Sequence, residues 1–468
     1  MVVLNENTER EIIQSYGIVA ASSRRGICCL ISYSLFYFSA PALGAGIALM
    51  EQSVKELGQA FSGAPTNIED GSMVFFNPAA MSQVRGKLVT VSGYIIAPSN
   101  PFQNSSSHLS PVLGGAPLTG GNGGGPINPA FIPNFYYVQE LANRFTFGLG
   151  VNAPFAARTS YHPDWKGRYQ AIDSEIVTLN FNPSLSFKVT EKFSLGAGFN
   201  VQYLQSKLTN AVDLGAACLQ ALRDPISCAS QGLLPQAADG HAALKGNSVG
   251  FGYNFGAFYA PTQDTRLGVS YRSRVAHEVH SNANFSVPDN AIVLTQSNSF
   301  VDTHSRTSVT LPDTVLFGFS HRLNHRWAIS ADALWTHWSL IRELRTDFAS
   351  AQRDDVLDLK WRDTWQYAFG INYFSETNKW ILRTGFAYDQ TPVPSSQLRS
   401  PRIPDSSRYW LTVGLTYLVL KNISIHAAYA HLFMNDASIN KTGSSADFLV
   451  GQYSEQYNIG GLQMDWRF

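Results

Sequence analysis

The chain has 468 residues, and its 34 Lys and Arg balance its 34 Asp and Glu, so the formal net charge is zero. This balance excludes the basic footprint of a nucleic-acid-binding protein, and no nucleic acid is expected as a partner. Charged residues make up only 15% of the chain and aromatic residues 12%, which indicates a surface that faces something other than water.

The N-terminus predicts a secretory leader. Arg24 precedes an apolar run over 27–38, and Ala42 and Ala45 supply small residues for cleavage. We predict a signal peptide over residues 1–42, with an atypical hydrophilic extension before Arg24 and cleavage after Ala42 or Ala45. Outside this leader the sequence has no run of ~20 apolar residues that would form a spanning helix.

Residues 43–86 form a short, polar segment that contains Asn77-Pro78-Ala79. Pro78 fixes its own φ and disfavours the helical region for Asn77, whose side chain can bond its own backbone. We expect a well-defined kink that is held by few contacts, within a plug, or hatch, that precedes a β-rich domain.

From Lys87 to the C-terminus, apolar and polar residues alternate with period two, as they do in half-buried strands. In a soluble sandwich the apolar face would pack on a core, whereas in an outer-membrane barrel it faces lipid. The predicted strands number about fourteen, at 87–97, 131–140, 144–153, 174–189, 192–209, 247–261, 264–286, 306–322, 325–347, 355–375, 379–389, 407–420, 422–440 and 452–468.

Tight turns alternate with long loops along this series, which favours the barrel because a sandwich gives no reason for such parity. The long loops lie at about 98–130, 154–173, 210–246, 287–305 and 390–406. We therefore predict an all-β transmembrane barrel of about 14 antiparallel strands over 87–468, in the outer membrane of a Gram-negative cell. The glycine-rich loop 98–130 is either a mobile surface loop or a flexible lid over the barrel mouth.

The last strand ends in Phe468, with Leu462, Met464 and Trp466 on the same face. A terminal Phe on an amphipathic strand resembles the signal that outer-membrane barrels share. We expect this strand to be read by the barrel-assembly machinery, the wall to contact outer-membrane lipid, and the barrel to be a monomer.

Four cysteines are present, of which Cys28 and Cys29 lie in the leader. In an exported chain, Cys218 and Cys228 are a plausible loop-closing disulfide. A metal pair is not favoured, because no nearby His or Cys completes a ligand set, and no cofactor is expected.

Motifs in a constant order run through almost the whole mature chain. They are LGQAFSG (57–63), NPAA (77–80), GLGVNAPF (148–155), WKGRYQA (165–171), NPSLSFKV (182–189), SLGAGFNVQY (194–203), YRSRVAHE (271–278), LPDTVLFGFSHR (311–322), WTHWS (335–339), WRDTWQYAFG (361–370), LRTGFAYDQTPVP (382–394) and AYAHLF (428–433). The chain resembles the FadL/TodX (OmpP1) family of outer-membrane transporters for long-chain fatty acids and other hydrophobic compounds.

The resemblance implies a fourteen-stranded barrel with an N-terminal hatch inside it. It also implies that ligand passes from an apolar extracellular groove to a lumenal pocket and leaves sideways through the wall. Asn77-Pro78-Ala79 matches the hatch motif, and Asp363 sits where the family has an acidic residue that faces the hatch. The segment over 53–56 departs from the family, since it lacks the usual run of serines, and the loops differ in length.

Asp363 shares a predicted strand face with Trp361, Trp365 and Tyr367. A carboxylate is costly in lipid, so this side chain should turn toward the lumen through a bulge or lie near a rim.

Lumenal cations are natural partners for the carboxylate of a fatty acid, and aromatic side chains for its acyl chain. The cationic candidates could equally be members of a structural charge ladder, and the aromatic ones could pack against lipid. The candidate ligand-binding residues are Arg168, Arg272, Arg274, Arg345, Phe155 and Trp335.

The motifs of common hydrolases are missing from the sequence, which has neither a Gly-x-Ser-x-Gly elbow nor a His-Glu-x-x-His pair. We predict a non-enzymatic channel for passive uptake of long-chain fatty acids or related hydrophobic molecules. The alternatives are an aromatic hydrocarbon channel of the same family and a non-transporting surface barrel or adhesin.

Overall fold

The computed structural model of the protein describes residues 46–124, 129–377 and 379–468. The predicted leader over 1–42, together with Ala42 and Ala45, lies outside the described residues. Within the described ranges, no helix has the length and apolarity needed to cross a membrane.

The described residues contain strand segments that we number in chain order. They are β1 Lys87–Ser99, β2 Phe102–Asn104, β3 His108–Leu109, β4 Ala130–Ala142, β5 Phe145–Asn152, β6 Ala156–Ser160, β7 Asp173–Lys188, β8 Phe193–Asp213, β9 Asp239–Tyr259, β10 Thr265–Arg272, β11 Val275–Ser286, β12 Thr303–Leu311, β13 Thr314–Arg322, β14 Trp327–Thr336, β15 Glu343–Phe348, β16 Asp355–Asp358, β17 Thr364–Phe374, β18 Trp380–Asp389, β19 Arg408–Leu420, β20 Ile423–Met434, β21 Ala437–Thr442, β22 Asp447–Tyr453 and β23 Gln456–Arg467.

The helices are short. The α-helices are Val54–Leu57, Met73–Phe76, Leu214–Leu222 and Pro225–Ser230, and the 3-10 helices are Ala64–Thr66, Pro78–Gln83, Pro111–Leu113, Asp289–Ser297 and Trp338–Leu340.

The long strands close into one antiparallel barrel. β1 pairs with β4 on one side and with the C-terminal β23 on the other, which joins the two ends of the sheet. The wall contains nineteen segments, and it has fourteen strands because β5/β6, β10/β11, β12/β13, β14/β15 and β16/β17 are each two halves of one interrupted strand. The prediction of an outer-membrane barrel with about fourteen antiparallel strands is confirmed.

Some strands that the alternation predicted as continuous are interrupted. The strand expected over 306–322 breaks between β12 and β13, where Pro312 has no N–H to give to the ladder. The strand expected over 325–347 breaks at the 3-10 helix Trp338–Leu340, and even-numbered positions face inward on both sides of the break, since Ser330 and Thr346 are both buried. The strand expected over 355–375 likewise breaks between β16 and β17.

The outer and inner faces of the wall differ in composition. Along β9 the outward residues are apolar and exposed, with Val249 at 54% and Phe251 at 62% exposure. The inward positions of the same strand carry Ser248, Gly252 and Gly256. An exposed apolar band with a polar, small-residue lumen is the arrangement of a barrel in lipid.

The hatch segment, which we define as residues 46–86, fills the lumen. Between 51 and 84, Glu69 is exposed, Ile68, Phe75 and Gln83 are half-buried, and the other residues are buried. Its contacts reach widely separated wall strands, since Ser62 bonds Ser330 of β14 and Ser82 bonds Ser194 of β8, with Oγ–Oγ distances of 2.8 and 2.7 Å.

Two lumenal glycines explain why the wall can approach the hatch so closely. A Cβ at Gly196 would lie 2.4 Å from the backbone of Pro78 and Ala79, and one at Gly385 would lie 2.2 Å from the Gln59 carbonyl carbon. Any side chain at these positions would collide with hatch backbone, so the small residues of the lumen are a packing requirement.

The glycine-rich loop is structured over the part that is described. β2 pairs with β22, and Phe102 packs edge-on against Trp165 at a ring distance of 5.6 Å. With β3 and β21, these strands form a small second sheet. The loop is therefore anchored through its aromatic and strand contacts, whether or not it also moves as a lid.

Candidate functional site

An apolar cluster surrounds the first described residues of the hatch. Ile47 is buried among aromatic side chains, with Phe155 and Trp338 at a ring distance of 6.5 Å and Trp338 and Trp361 at 5.1 Å. We call this set the lumenal apolar cluster, and its buried members are Ile47, Phe155, Ala157, Leu204, Val279, Leu311, Trp338, Ile341, Leu359, Trp361 and Val393.

Two polar atoms in this cluster have no protein partner within the described residues. They are the indole nitrogens of Trp338 and Trp361, both of which are buried. A buried N–H without an acceptor costs about 1–3 kcal/mol, so an acceptor on a bound molecule would relieve that cost. The cluster therefore combines apolar walls with two hydrogen-bond donors.

The hatch also completes a break in the barrel wall. β5 ends at Asn152 and β6 begins at Ala156, and the hatch pairs with the backbone between them. Leu49 N donates to Pro154 O at 2.9 Å, and Ala156 N donates to Ile47 O at 3.0 Å. Unpaired backbone groups at a strand edge need partners, and here the hatch supplies them.

A buried group of charges lies beside this pairing. Arg408 forms ion pairs with Asp405 and with Asp389, the latter at 3.5 Å between Nε and Oδ2. Burial raises the pKa of Glu51, in the hatch, to about 7, against the opposing effect of Arg408. Burial likewise raises the pKa of Glu455 to about 8, and Asp405 adds to that shift.

The middle of the hatch is capped by a wall carboxylate. Asp332 accepts hydrogen bonds from the backbone N–H of Gly63 at 2.7 Å and of Ala64 at 3.0 Å. Asp332 was not among the residues predicted from the sequence, although one signal was present: an acidic residue in the middle of a membrane strand needs a lumenal partner.

The Asn77-Pro78-Ala79 turn is buried and anchored. Asn77 Nδ2 donates to Pro65 O at 2.8 Å and to Ala257 O of β9 at 3.0 Å, and Asn77 Oδ1 accepts from Ala79 N at 3.1 Å. The expectation of a kink held by few contacts was wrong, because the lumenal glycines let the wall reach the turn directly.

Asp363 and Trp335 are not members of the lumenal apolar cluster, although Asp363 lies at its border beside Trp338 and Trp361. Asp363 is exposed in the loop before β17, where its Oδ1 accepts from Ser339 N at 3.0 Å. Trp335 is three residues from Asp332 in β14, so it has the opposite parity and points away from the hatch. Of the predicted aromatic pair, the structure brings only Phe155 into the cluster.

The four candidate arginines do not converge. Arg168 pairs with Asp239 at 2.7 Å, Arg274 pairs with Asp313 at 3.3 Å, and the exposed Arg345 contacts Glu343 and Asp354. Arg272 contacts the hatch instead, since Nη2 donates to Phe75 O at 2.9 Å and its guanidinium lies over the Phe75 ring.

Cys218 and Cys228 are bonded to each other, with their Cα atoms 6.0 Å apart. The bridge joins the helices Leu214–Leu222 and Pro225–Ser230 in the long connection between β8 and β9. Leu222, Ile226 and Leu234 are exposed in the same connection, which gives its surface an apolar patch.

A lipid-facing barrel whose lumen holds its own N-terminal segment defines the class of plugged outer-membrane barrels. The chain belongs to the family of outer membrane transport proteins described as OMPP1/FadL/TodX, whose model matches residues 35–468. The resemblance predicted from the sequence motifs is confirmed.

Relatives match over nearly the full length. The chain is 26% identical to outer membrane protein P1 of Haemophilus influenzae, covering 94% of this chain and 98% of that one. It is 27% identical to a long-chain fatty acid transport protein of Escherichia coli, covering 88% and 93%.

Solved structures have the same fold. A FadL homologue of Pseudomonas aeruginosa superposes with a TM-score of 0.82 at 25% identity, covering 91% of this chain and 100% of that one. The toluene transporter TbuX of Ralstonia pickettii superposes with a TM-score of 0.57 at 19% identity, covering 85% and 94%, and shares the fold.

Proposed function

We propose that the protein takes up long-chain fatty acids or related hydrophobic molecules passively across the outer membrane, with the hatch as gate and lateral release through the wall. The observation that carries this proposal is the position of the hatch at the wall break. The same short segment places Ile47 in the lumenal apolar cluster, with Ala48 packed against it, and pairs Ile47 and Leu49 with the backbone between β5 and β6.

Cargo and hatch would compete for one site. An acyl chain gains about 0.8 kcal/mol for each CH₂ buried, so a few methylene groups offset the apolar contacts of Ile47. When these residues leave, the two hatch–wall backbone bonds are broken and the break between Asn152 and Ala156 opens toward lipid. Release through the wall then requires no energy source.

The head group of the cargo would meet the indole N–H groups of Trp338 and Trp361 rather than an arginine. None of the four candidate arginines lies in the cluster. This aromatic lining is the specific observation that favours the second candidate, an aromatic hydrocarbon channel. The exposed patch at Leu222, Ile226 and Leu234 is the proposed first contact for either cargo.

The gate proposal has two parts. The first is displacement of residues 46–50 from the cluster. The second is a shift of the hatch body, which includes Asn77-Pro78-Ala79. We assign the acidic wall residue that contacts the hatch body to Asp332, through Gly63 and Ala64. Recognition by the barrel-assembly machinery through the Phe468 strand, a monomeric state and the absence of enzymatic activity stay predictions.

Two disulfide tethers test the two parts separately. Ala48→Cys with Phe155→Cys joins residues that bridge across the wall break, and Ser62→Cys with Ser330→Cys joins residues whose Oγ atoms are 2.8 Å apart. Uptake of radiolabelled oleate is measured in a deletion strain that carries each variant, before and after reduction, with each single cysteine as control.

We expect the Ala48–Phe155 tether to abolish uptake until it is reduced. If the oxidised tether transports like its single-cysteine controls, release through this break is refuted. If the Ser62–Ser330 tether leaves uptake unchanged, the hatch body does not take part in gating. Normal oleate uptake in the deletion strain refutes the fatty-acid function, and competition of uptake by toluene supports the hydrocarbon alternative.

A further inference from the structure

The outer face of the barrel carries a row of charged side chains near the long-loop end of β6, β7, β8 and β9. Neighbouring strands place Arg158 opposite Glu175, Glu175 opposite Lys207, and Lys207 opposite Lys245. The two lysines are thus directly paired across β8 and β9. Like charges in directly opposed positions destabilise a sheet unless an anion lies between them.

Protein carboxylates neutralise this row only in part. Glu175 is engaged by Arg158, at 4.0 Å between Oε2 and Nε, and Lys207 Nζ lies 3.0 Å from Asp173 Oδ2. Over the ranges that the structure describes, Lys245 has no carboxylate within ion-pair distance. One ammonium group is therefore free to bind an external anion, and Lys207 has further N–H donors beside it.

The height of the lysine pair on the wall indicates where that anion comes from. Below the pair, Tyr203 lies opposite Val249, and both are exposed on the apolar, lipid-facing surface. Lys207 follows Tyr203 by four residues on the same face, a rise of about 13 Å along the strand. This distance places the lysines at the level of lipid head groups, directly above the acyl-chain region.

An open cleft is present at this level. It has a volume of about 350 Å³, and its lining includes Tyr203, Gln205, Lys207, Lys245 and Asn247, together with Glu175, which pairs with Arg158. Its side chains therefore change from an aromatic ring through two amides to two ammonium groups along the barrel axis. That order matches the acyl chain, sugar hydroxyl groups and phosphate of a phosphorylated glycolipid.

We propose that this cleft binds the phosphorylated head group of an outer-leaflet glycolipid, with the phosphate between Lys207 and Lys245. The acyl chains lie on the surface formed by Tyr203, Val249 and Phe251. The site is on the outside of the barrel, so it is separate from the transport path through the lumen.

Binding of phosphorylated lipid A to the full-length protein in detergent tests this proposal. Native mass spectrometry measures occupancy for the wild type, for Lys207→Gln with Lys245→Gln, and for Lys192→Gln with Lys379→Gln. The last pair removes two exposed lysines next to the short turns at the opposite end of β8 and β18. Heat-modifiable migration in gels checks that each variant is folded.

We expect the Lys207/Lys245 variant to bind at least about tenfold more weakly, while the Lys192/Lys379 variant binds like the wild type. Lipid A treated with phosphatase should bind the wild type as weakly as the variant. Equal binding by both double variants overturns the proposal, and the row of charged side chains is then only a solvent-exposed rim of the barrel. Equal competition by inorganic phosphate overturns the lipid assignment. Oleate uptake by the same variants is expected to be unchanged, so this result is independent of the transport proposal.

Discussion

The two ends of the hatch differ in how many directed polar bonds hold them in the barrel. Residues 46–50 are held by apolar contacts, with Ile47 in the lumenal apolar cluster, and by two backbone bonds at the wall break. The body over 53–84 also packs apolar side chains such as Phe61 against the wall, but it adds directed polar bonds to distant wall strands, including those to Asp332 and Ser330 of β14 and Ser194 of β8.

This difference indicates which end a hydrophobic molecule can move. Apolar contacts are non-directional, so a cargo of similar size can replace them with little net cost. The polar bonds of the body have no substitute in such a cargo, and breaking them leaves buried groups unpaired. The N-terminal end is therefore the part of the hatch that cargo can displace first.

The largest effect is expected where the wall touches the backbone of the body. Gly385→Ala would bring a Cβ to 2.2 Å from the Gln59 carbonyl carbon, and the wall backbone at Gly385 cannot move without breaking its pairs with β17 and β19. We expect the body to be expelled and the barrel to admit small antibiotics, measured as a several-fold fall in inhibitory concentration.

Gly460→Ala is the matched control, because its added Cβ has no neighbour within 4 Å among the described residues. If both substitutions leave antibiotic sensitivity unchanged, the close packing of body and wall does not seal the lumen.

A smaller effect is expected from Asp332→Ala. The substitution leaves the N–H group of Gly63 buried without an acceptor, while the N–H of Ala64 keeps Phe61 O at 3.1 Å, at a cost of about 1–3 kcal/mol in docking of the body. Cysteine reactivity of Ala64→Cys, measured in both backgrounds, should rise by more than tenfold. Asp332→Asn keeps one acceptor oxygen and should give an intermediate rise; equal reactivity in all backgrounds would contradict the role of Asp332.

The smallest effect is a pH dependence that belongs to the N-terminal end. The folded pKa of Glu51 is raised from 4.5 to about 7, so its contribution to docking is fully present below the unfolded value and is lost as pH rises through 7. Docking of residues 46–50 should therefore weaken as the pH rises from about 4.5 to about 7, with no further loss above that range.

Labelling of Ala48→Cys should increase over this pH range, and Glu51→Gln should flatten that increase. The nearby carboxyl group of Glu455 has a pKa of about 8, and the Glu455→Gln variant distinguishes its titration from that of Glu51. If labelling of the Ala48→Cys variant, with no second substitution, does not change with pH, the ionisation of Glu51 is not coupled to docking of residues 46–50.

The barrel was predictable because its signal is local and repeated. Period-two alternation determines which residues share a strand face, and loop parity determines which strand ends share a side of the membrane. These two rules were enough for the strand number and the outer-membrane location. The motifs added the family, since they follow one another in order across the mature chain.

The candidate site depends on contacts that the period-two alternation of the sequence does not predict. The parity changes between β16 and β17, which is why Trp361 is buried in the cluster, whereas Trp365 and Tyr367, which would share its face in a continuous strand, lie on the outer face. Asp332 became visible only once the hatch was placed against β14. The sequence by itself therefore determined the wall of this protein, and the tertiary structure alone decided which side chains meet inside it, because their meeting depends on long-range packing of the hatch rather than on any local period.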